Sequence, residues 1–243
     1  MLLRIAGLCL AGVLSAISTA RSKRDQSVCF LGSTMTIMPC FERYPLEALT
    51  IGRLLAGFGE LEFILAYCVG TVLLNEKLGI KDEGLGIKTI FRLRSEGHRL
   101  ETADAILRHP MITFGLKTEY ENVYTSMKHC KNIRNQYAHC HWADHSKAGL
   151  FFTNLEELAN EKEQKILTFD WLHVDVKLLD DQENYFMYCR DYLNFLQQEI
   201  RVRLGESRDN DFSKPKGRSP PPRHNPREEH PIPWLIGSHD KAP

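Results

Sequence analysis

The sequence has no excess of charge of either sign: Lys+Arg and Asp+Glu each number 31 in 243 residues. A chain without net charge does not coat a nucleic acid or an anionic membrane with its whole surface, so any polyanion site must be local. Paired cysteines are lacking too. Cys9, Cys29, Cys40, Cys68, Cys130, Cys140 and Cys189 are odd in number, contain no CxxC and lie in helical-looking apolar runs, which excludes a secreted disulfide framework. No GxxxxGK[ST], no GxGxxG after a strand, no HExxH and no GxSxG occurs, and the common nucleotide-binding and hydrolase folds lose their support. Nor is there a repeat of roughly 20 to 50 residues, which excludes a solenoid. At 43% hydrophobic and 26% charged, the chain is not collagen-like, wholly disordered or a multi-span membrane protein.

What is present falls into three stretches. Arg4, the apolar run Ile5 to Ile17 and Ser18-Thr19-Ala20 have the charge, length and small-residue ending of an export signal. The run is short for a bilayer span. Met35 and Met38 stand just ahead of the first strongly patterned segment, so a start assigned too far upstream gives the same appearance. Residues 1 to 34 are therefore a signal-like or mis-assigned leader, outside the fold on either reading. The first reading places the protein in the secreted or periplasmic space. The second places it in the cytoplasm, starting at Met35 or Met38; neither leaves a membrane segment in the mature form. At the other end, eight of eleven prolines lie between Pro215 and Pro243, mixed with Ser, Arg, Glu and His. That composition predicts a disordered, proline-rich tail over 205 to 243.

The body between them predicts an all-α fold. Leu46, Leu49, Leu54, Leu55, Phe58, Leu61, Ile64, Leu65, Cys68, Val69, Val72 and Leu73 recur at helical spacing, predicting a long core helix from Leu46 to about Leu74. A glycine-rich break at Gly79 to Gly86 precedes a second helix, about Ile87 to Leu107, which His109-Pro110 should stop. A third should run from about Lys117 to His139 and a fourth from about Asp180 to Leu204. Gly149 to Thr153 and Ile166 to Phe169 are short β-prone segments, predicting a small hairpin inserted before the last helix.

The third helix closes on Ile133-Arg134-Asn135-Gln136-Tyr137-Ala138-His139, followed by Cys140-His141-Trp142. Arg134 and His139 frame an R-x4-H pattern. Arginine offers a permanently charged fork matched to phosphate, and histidine exchanges a proton near neutrality. Together they supply the cation and the acid/base that metal-free RNA cleavage needs. The same two residues near a helix C-terminus also favour its dipole and cap its carbonyls, a role that requires no substrate.

This R-N-x-x-A-H segment, late in a long helix of an all-helical body, resembles the HEPN superfamily. The resemblance covers roughly residues 41 to 204 and implies a four-helix HEPN-like bundle. It implies a metal-independent endoribonuclease of toxin or defence type, with no cofactor and no metal, in which Arg134 and His139 are catalytic and Asn135 contacts phosphate or orients the motif. Lys128 and Lys131 join Asn135 as candidate substrate contacts. The family's additional acid on an earlier helix corresponds to Glu60 or Glu62. Five helical steps place Arg134 and His139 about 140° apart, and family members answer this by dimerising, so that two motifs face one cleft. RNA, a second copy of the chain and an antitoxin protein are the implied partners. Toxins paired with a nucleotidyltransferase antitoxin carry R-x4-H-x-Y, and this chain departs from that pattern with His141. A non-catalytic HEPN-like bundle that binds nucleotide, RNA or protein is the alternative, and an exported helical protein a second one.

Charge distribution is compatible with an RNA site. Residues 86 to 109 and 117 to 147 each carry five bases against three acids, whereas 156 to 184 carry nine acids against three bases. A metal site is the rival chemistry, since His129, Cys130, His139, Cys140, His141 and His145 lie close in sequence. Their spacing argues against it, because adjacent side chains at a helix end do not converge on one ion.

Overall fold

Proline at the first helical position twice sets the chain into a helix at its start, at Pro39 and again at Pro45. A computed structural model describes residues 37–74, 84–145, 149–160 and 169–226. The chain divides after Ile37 into two units, the second of which begins at Met38. The leader expected over 1 to 34 lies outside the described residues.

The described residues are mostly helical, with one small antiparallel sheet. In chain order the elements are α1 (Pro39–Arg43), α2 (Pro45–Leu73), α3 (Leu85–Phe91), α4 (Glu96–Thr113), α5 (Lys117–Ala138), β1 (Cys140–His145), β2 (Gly149–Asn154), α6 (Leu155–Asn160), β3 (Leu172–Val174) and α7 (Val176–Arg203). Helix α2 is central: α7 packs along it, and α3, α4 and α5 all contact it. Its inward side is lined by Ile51, Leu54, Phe58, Leu61, Leu65 and Val69, each almost fully buried. Helix α2 is long and apolar enough to cross a membrane, yet half of its most apolar window is buried within this chain's own core.

Three differences from the expected elements have local causes. The second helix is two, because α3 ends at Phe91 and α4 starts afresh after Ser95, whose side-chain oxygen accepts from the His98 N–H. Helix α4 then runs through Pro110 to Thr113 and stops in a Schellman turn, with Gly115 at φ +72° and the Leu116 N–H bonded to the Met111 carbonyl. The strand that pairs with Gly149–Asn154 is Cys140–His145, directly after the motif helix, with Trp142 opposite Phe152. Phe169 belongs to no strand, and residues 161 to 168, where most of the other expected strand falls, lie outside the described residues. The third strand is instead Leu172–Val174, paired with β2.

The expected free tail requires a larger correction. A second Schellman turn at Gly205 (φ +79°) reverses the chain out of α7. Residues 206 to 226 then lie back on the body. Asn210 donates to the Phe195 carbonyl at 3.0 Å and Lys214 pairs with Glu119 at 2.7 Å. Further on, the Gln182 amide donates to the Pro222 carbonyl at 2.9 Å, and the Gln136 amide to the Arg223 carbonyl at 2.7 Å. Proline-rich sequence has no periodicity and few N–H donors, but its carbonyls are strong acceptors, and buried glutamines on α5 and α7 use them. Residues 227 to 243 lie outside the described residues.

Candidate functional site

Helix α5 delivers the motif because its buried side, Tyr120, Val123, Met127, Cys130, Ile133 and Tyr137, is pinned in the core. The helix ends at Ala138. His139 is its C-cap, with its N–H still bonded to the Asn135 carbonyl at 3.1 Å and its own carbonyl accepting from Leu155 at the start of α6. The last turn of the helix is thereby tied to the end of the β hairpin.

The two motif residues leave the helix in different directions. The Arg134 guanidinium reaches the first turn of α4, where its Nη2 meets Glu96 Oε1 at 3.0 Å, and its Nη1 donates to Asn135 Oδ1 at 3.2 Å. The His139 imidazole is half exposed and its Nδ1 lies 3.9 Å from Glu156 Oε1 on α6. Within the chain the arginine and the histidine therefore sit in different surroundings, in keeping with their angular offset along the helix.

Around Arg134 a compact charged group forms. Arg99 Nη1 donates to Glu62 Oε2 at 2.8 Å, and its Nε donates to the Leu93 carbonyl at 2.8 Å. Glu62 is only 3% exposed, and its other carboxylate oxygen has no hydrogen-bond partner among the described residues. Burial raises its pKa above the ordinary carboxylate value, against the opposing pull of Arg99; Glu96 adds to the rise and Arg134 opposes it. Lys131 belongs to the same neighbourhood, since a Cβ built on Gly97 would come within 3.7 Å of its Nζ. Of the two candidate acids, Glu62 thus lies within electrostatic reach of Arg134, whereas Glu60 is exposed beside Arg53 and Glu183, between α2 and α7. Lys128 points elsewhere, its ammonium 4.8 Å from the centre of the Tyr124 ring.

No family model, no curated protein and no solved structure matches the chain.

What the site can do must therefore be read from its own atoms. A guanidinium that pairs with a carboxylate can pair with a phosphate, and here one nitrogen, Nη2, meets Glu96 while Nη1 is held by Asn135. An exposed imidazole at the end of the same helix can give and take protons. Among the described residues no three His, Cys, Asp or Glu side chains gather as a metal-ligand group. His129, one of the histidines of the rival metal reading, bonds the Pro221 carbonyl at 3.0 Å, while burial raises the Cys140 thiol to about 12.

Sequence reading passed over several participants. Glu96 carried a signal, as an acid in the first turn after a capping serine. Gln136 stood inside the motif without an assigned part, yet it is 1% exposed and bonded at both ends of its amide to Arg223. No sequence signal links position 136 to position 223.

Proposed function

We propose that this protein is a metal-independent endoribonuclease of HEPN type, built on a bundle of α2, α4, α5 and α7, in which Arg134 binds the scissile phosphate and His139 moves the proton. The observation that carries the reading is that one helix end presents both groups: a half-buried arginine whose Nη2 already meets a carboxylate, and five residues later an exposed histidine. In the reaction a base takes the proton of the RNA 2′-hydroxyl and the 2′-oxygen bonds to phosphorus. The bond from phosphorus to the 5′-oxygen then breaks, and that oxygen receives a proton from the acid. The products are a 2′,3′-cyclic phosphate and a 5′-hydroxyl, with no water activated and no metal used. Arg134 stabilises charge on the phosphoryl oxygens, Asn135 holds the Arg134 side chain, and Lys131 adds positive charge beside it. Glu62, through Arg99, fixes the electrostatics behind Arg134.

Because Arg134 and His139 diverge within a protomer, the active species is a homodimer in which a second copy brings its motif to the same cleft. Cytoplasmic RNA is the substrate if translation starts at Met35 or Met38. An antitoxin protein is the regulatory partner of the toxin form, although His141 separates this chain from the R-x4-H-x-Y pattern.

The alternative is a bundle that binds RNA or nucleotide without cleaving it. The Arg134–Glu96 and Arg99–Glu62 pairs are compatible with it, since arginines satisfied within the chain need no catalytic part. Purified full-length protein incubated with RNA in EDTA separates the readings. The nuclease cleaves, and both His139→Ala and Arg134→Ala remain folded and inactive. The binding bundle retains RNA and leaves it intact.

A further inference from the structure

We propose that the C-terminal strap, residues 206 to 226, forms part of the RNA-binding surface, with Arg223 the phosphate-binding cation on the His139 side of the motif helix. The inference rests on the ribonuclease reading above and extends it to a segment that the motif does not include.

The geometry begins with Gln136. It lies three residues before His139, and residues three apart are neighbours on a helix face. Arg134 points off another side, to α4. The strap covers the Gln136 side. Arg223 clasps Gln136 from both ends: its carbonyl accepts from the Gln136 amide at 2.7 Å, and its Nε donates to Gln136 Oε1 at 2.9 Å. Its backbone is held a second time by Gln182, whose amide is shared between the Pro222 and Arg223 carbonyls and whose own oxygen accepts from the Tyr137 hydroxyl at 2.7 Å. Gln182 is fully buried, so this anchor is rigid.

The guanidinium is then aimed at the start of α6. Arg223 Nη2 meets Glu157 Oε1 at 3.1 Å, and the adjacent Glu156 is the residue facing His139 Nδ1. The side chain is 42% exposed, and its hydrogen bonds among the described residues are made by Nε and Nη2. Arg223 is therefore a cation joined to the histidine side through Glu157 and its neighbour Glu156, while Arg134 serves the α4 side. Both forks hold a glutamate in the free protein, and the one on Arg223 is the weaker hold because Glu157 is 61% exposed and open to competition from a phosphate.

Charge on the second half of the strap is compatible with the assignment. Glu206, Asp209 and Asp211 lie in its first part, whereas from Phe212 to Pro226 it carries Lys214, Lys216, Arg218 and Arg223 and no acid. Lys214 is paired with Glu119 and Arg218 lies 4.0 Å from Asp181, so Lys216 and Arg223 are the more available of the four. Between its two anchor points Pro215–Arg218 stands off α7 across an opening of about 510 Å³, which leaves Lys216 and Arg218 at the surface. A short basic segment ending at the start of α6 suits the backbone of a single strand.

The test uses the full-length chain and a fluorescent oligonucleotide of about twelve nucleotides, fully 2′-O-methylated so that it binds without being cut. Binding is measured by anisotropy across a salt series, beside the thermal midpoint of each variant. For Arg223→Ala the expected result is about tenfold weaker binding, with the log–log salt slope shallower by about 0.7, the value of one phosphate contact on a single strand. Arg223→Lys keeps the charge but loses the Nε donor, and should restore most of the slope. A lowered midpoint with unchanged salt slope in Arg223→Ala would overturn the proposal, because the residue would then be a structural clasp only. If wild type cleaves RNA and the variants bind like wild type, this assignment fails and the ribonuclease reading stands. If wild type neither binds nor cleaves RNA, both fail.

Discussion

Arg134 and Glu96 meet at 3.0 Å across the end of α5 and the start of α4. The pair decides how the motif arginine is held in the free protein: a carboxylate sits where the proposed substrate would place a phosphate. Substrate binding must therefore exchange one anion for another rather than fill an empty fork.

Glu96→Gln removes the competing charge and keeps the shape. Partly exposed pairs of this kind are worth up to about 1 kcal/mol, so uncleavable RNA should bind roughly fivefold more tightly to this variant. Anisotropy at low salt measures it. Weaker binding would mean that Glu96 orients Arg134 instead of competing for it.

Glu62 gives a pH signature. Its pKa is raised in the folded chain, mainly by burial, so the folded state binds its proton more tightly than the unfolded state does. The stabilisation that this proton confers is fully present below the ordinary carboxylate range and is lost as pH rises through the raised folded value. Glu62→Gln removes the titration and retains an acceptor for Arg99. The thermal midpoint of wild type should fall relative to that of the variant as pH rises through this window. Parallel midpoints would contradict the assignment.

Gly86 tests the packing that carries the site. A Cβ there would lie 2.1 Å from the Ala66 carbonyl oxygen and 2.5 Å from the Gly70 nitrogen, both backbone atoms of α2. Gly86→Ala must push α3 off α2 and should cost roughly 3 kcal/mol in denaturant titration. A loss below about 0.5 kcal/mol, ordinary for surface changes, would contradict the close crossing.

Gln182→Leu tests the strap. It leaves the buried Tyr137 hydroxyl and the Pro222 carbonyl without their partner, at a cost of roughly 1 to 3 kcal/mol. Deletion after Gly205 should likewise lower the thermal midpoint. An unchanged midpoint in both would show that the strap contributes nothing to the fold.

The long helices were legible because burial imposed a period on them. The expected Leu46–Leu74, Lys117–His139 and Asp180–Leu204 agree closely with Pro45–Leu73 and Lys117–Ala138, and fall four residues short of the start of Val176–Arg203, whose cap is the Asp175 side chain bonded to the Leu178 N–H at 2.8 Å. The motif and its position at a helix end were legible for the same reason. The break between α3 and α4 was not, since the Arg99 side-chain bonds to the Leu93 and Arg94 carbonyls that accompany the Ser95 cap leave no local pattern. The choice between Glu60 and Glu62 was closed to sequence as well. They are two residues apart on one helix, and only the placement of Arg99 on α4 distinguishes the buried one. Least legible was the strap, whose Pro222 and Arg223 carbonyls accept from glutamines 40 and 87 residues away and leave no local pattern.

On the proposed reading, Arg134 and His139 cleave RNA without a metal. Its most direct measurement is the end group left when full-length protein acts on a defined RNA in excess EDTA, read by mass spectrometry, beside folded Arg134→Ala and His139→Ala. The account predicts a 2′,3′-cyclic phosphate from wild type, no product from either variant, and none from a substrate carrying a 2′-deoxy group at the cut. Intact RNA with wild type, cleavage that stops in EDTA, or full activity in folded His139→Ala would contradict it.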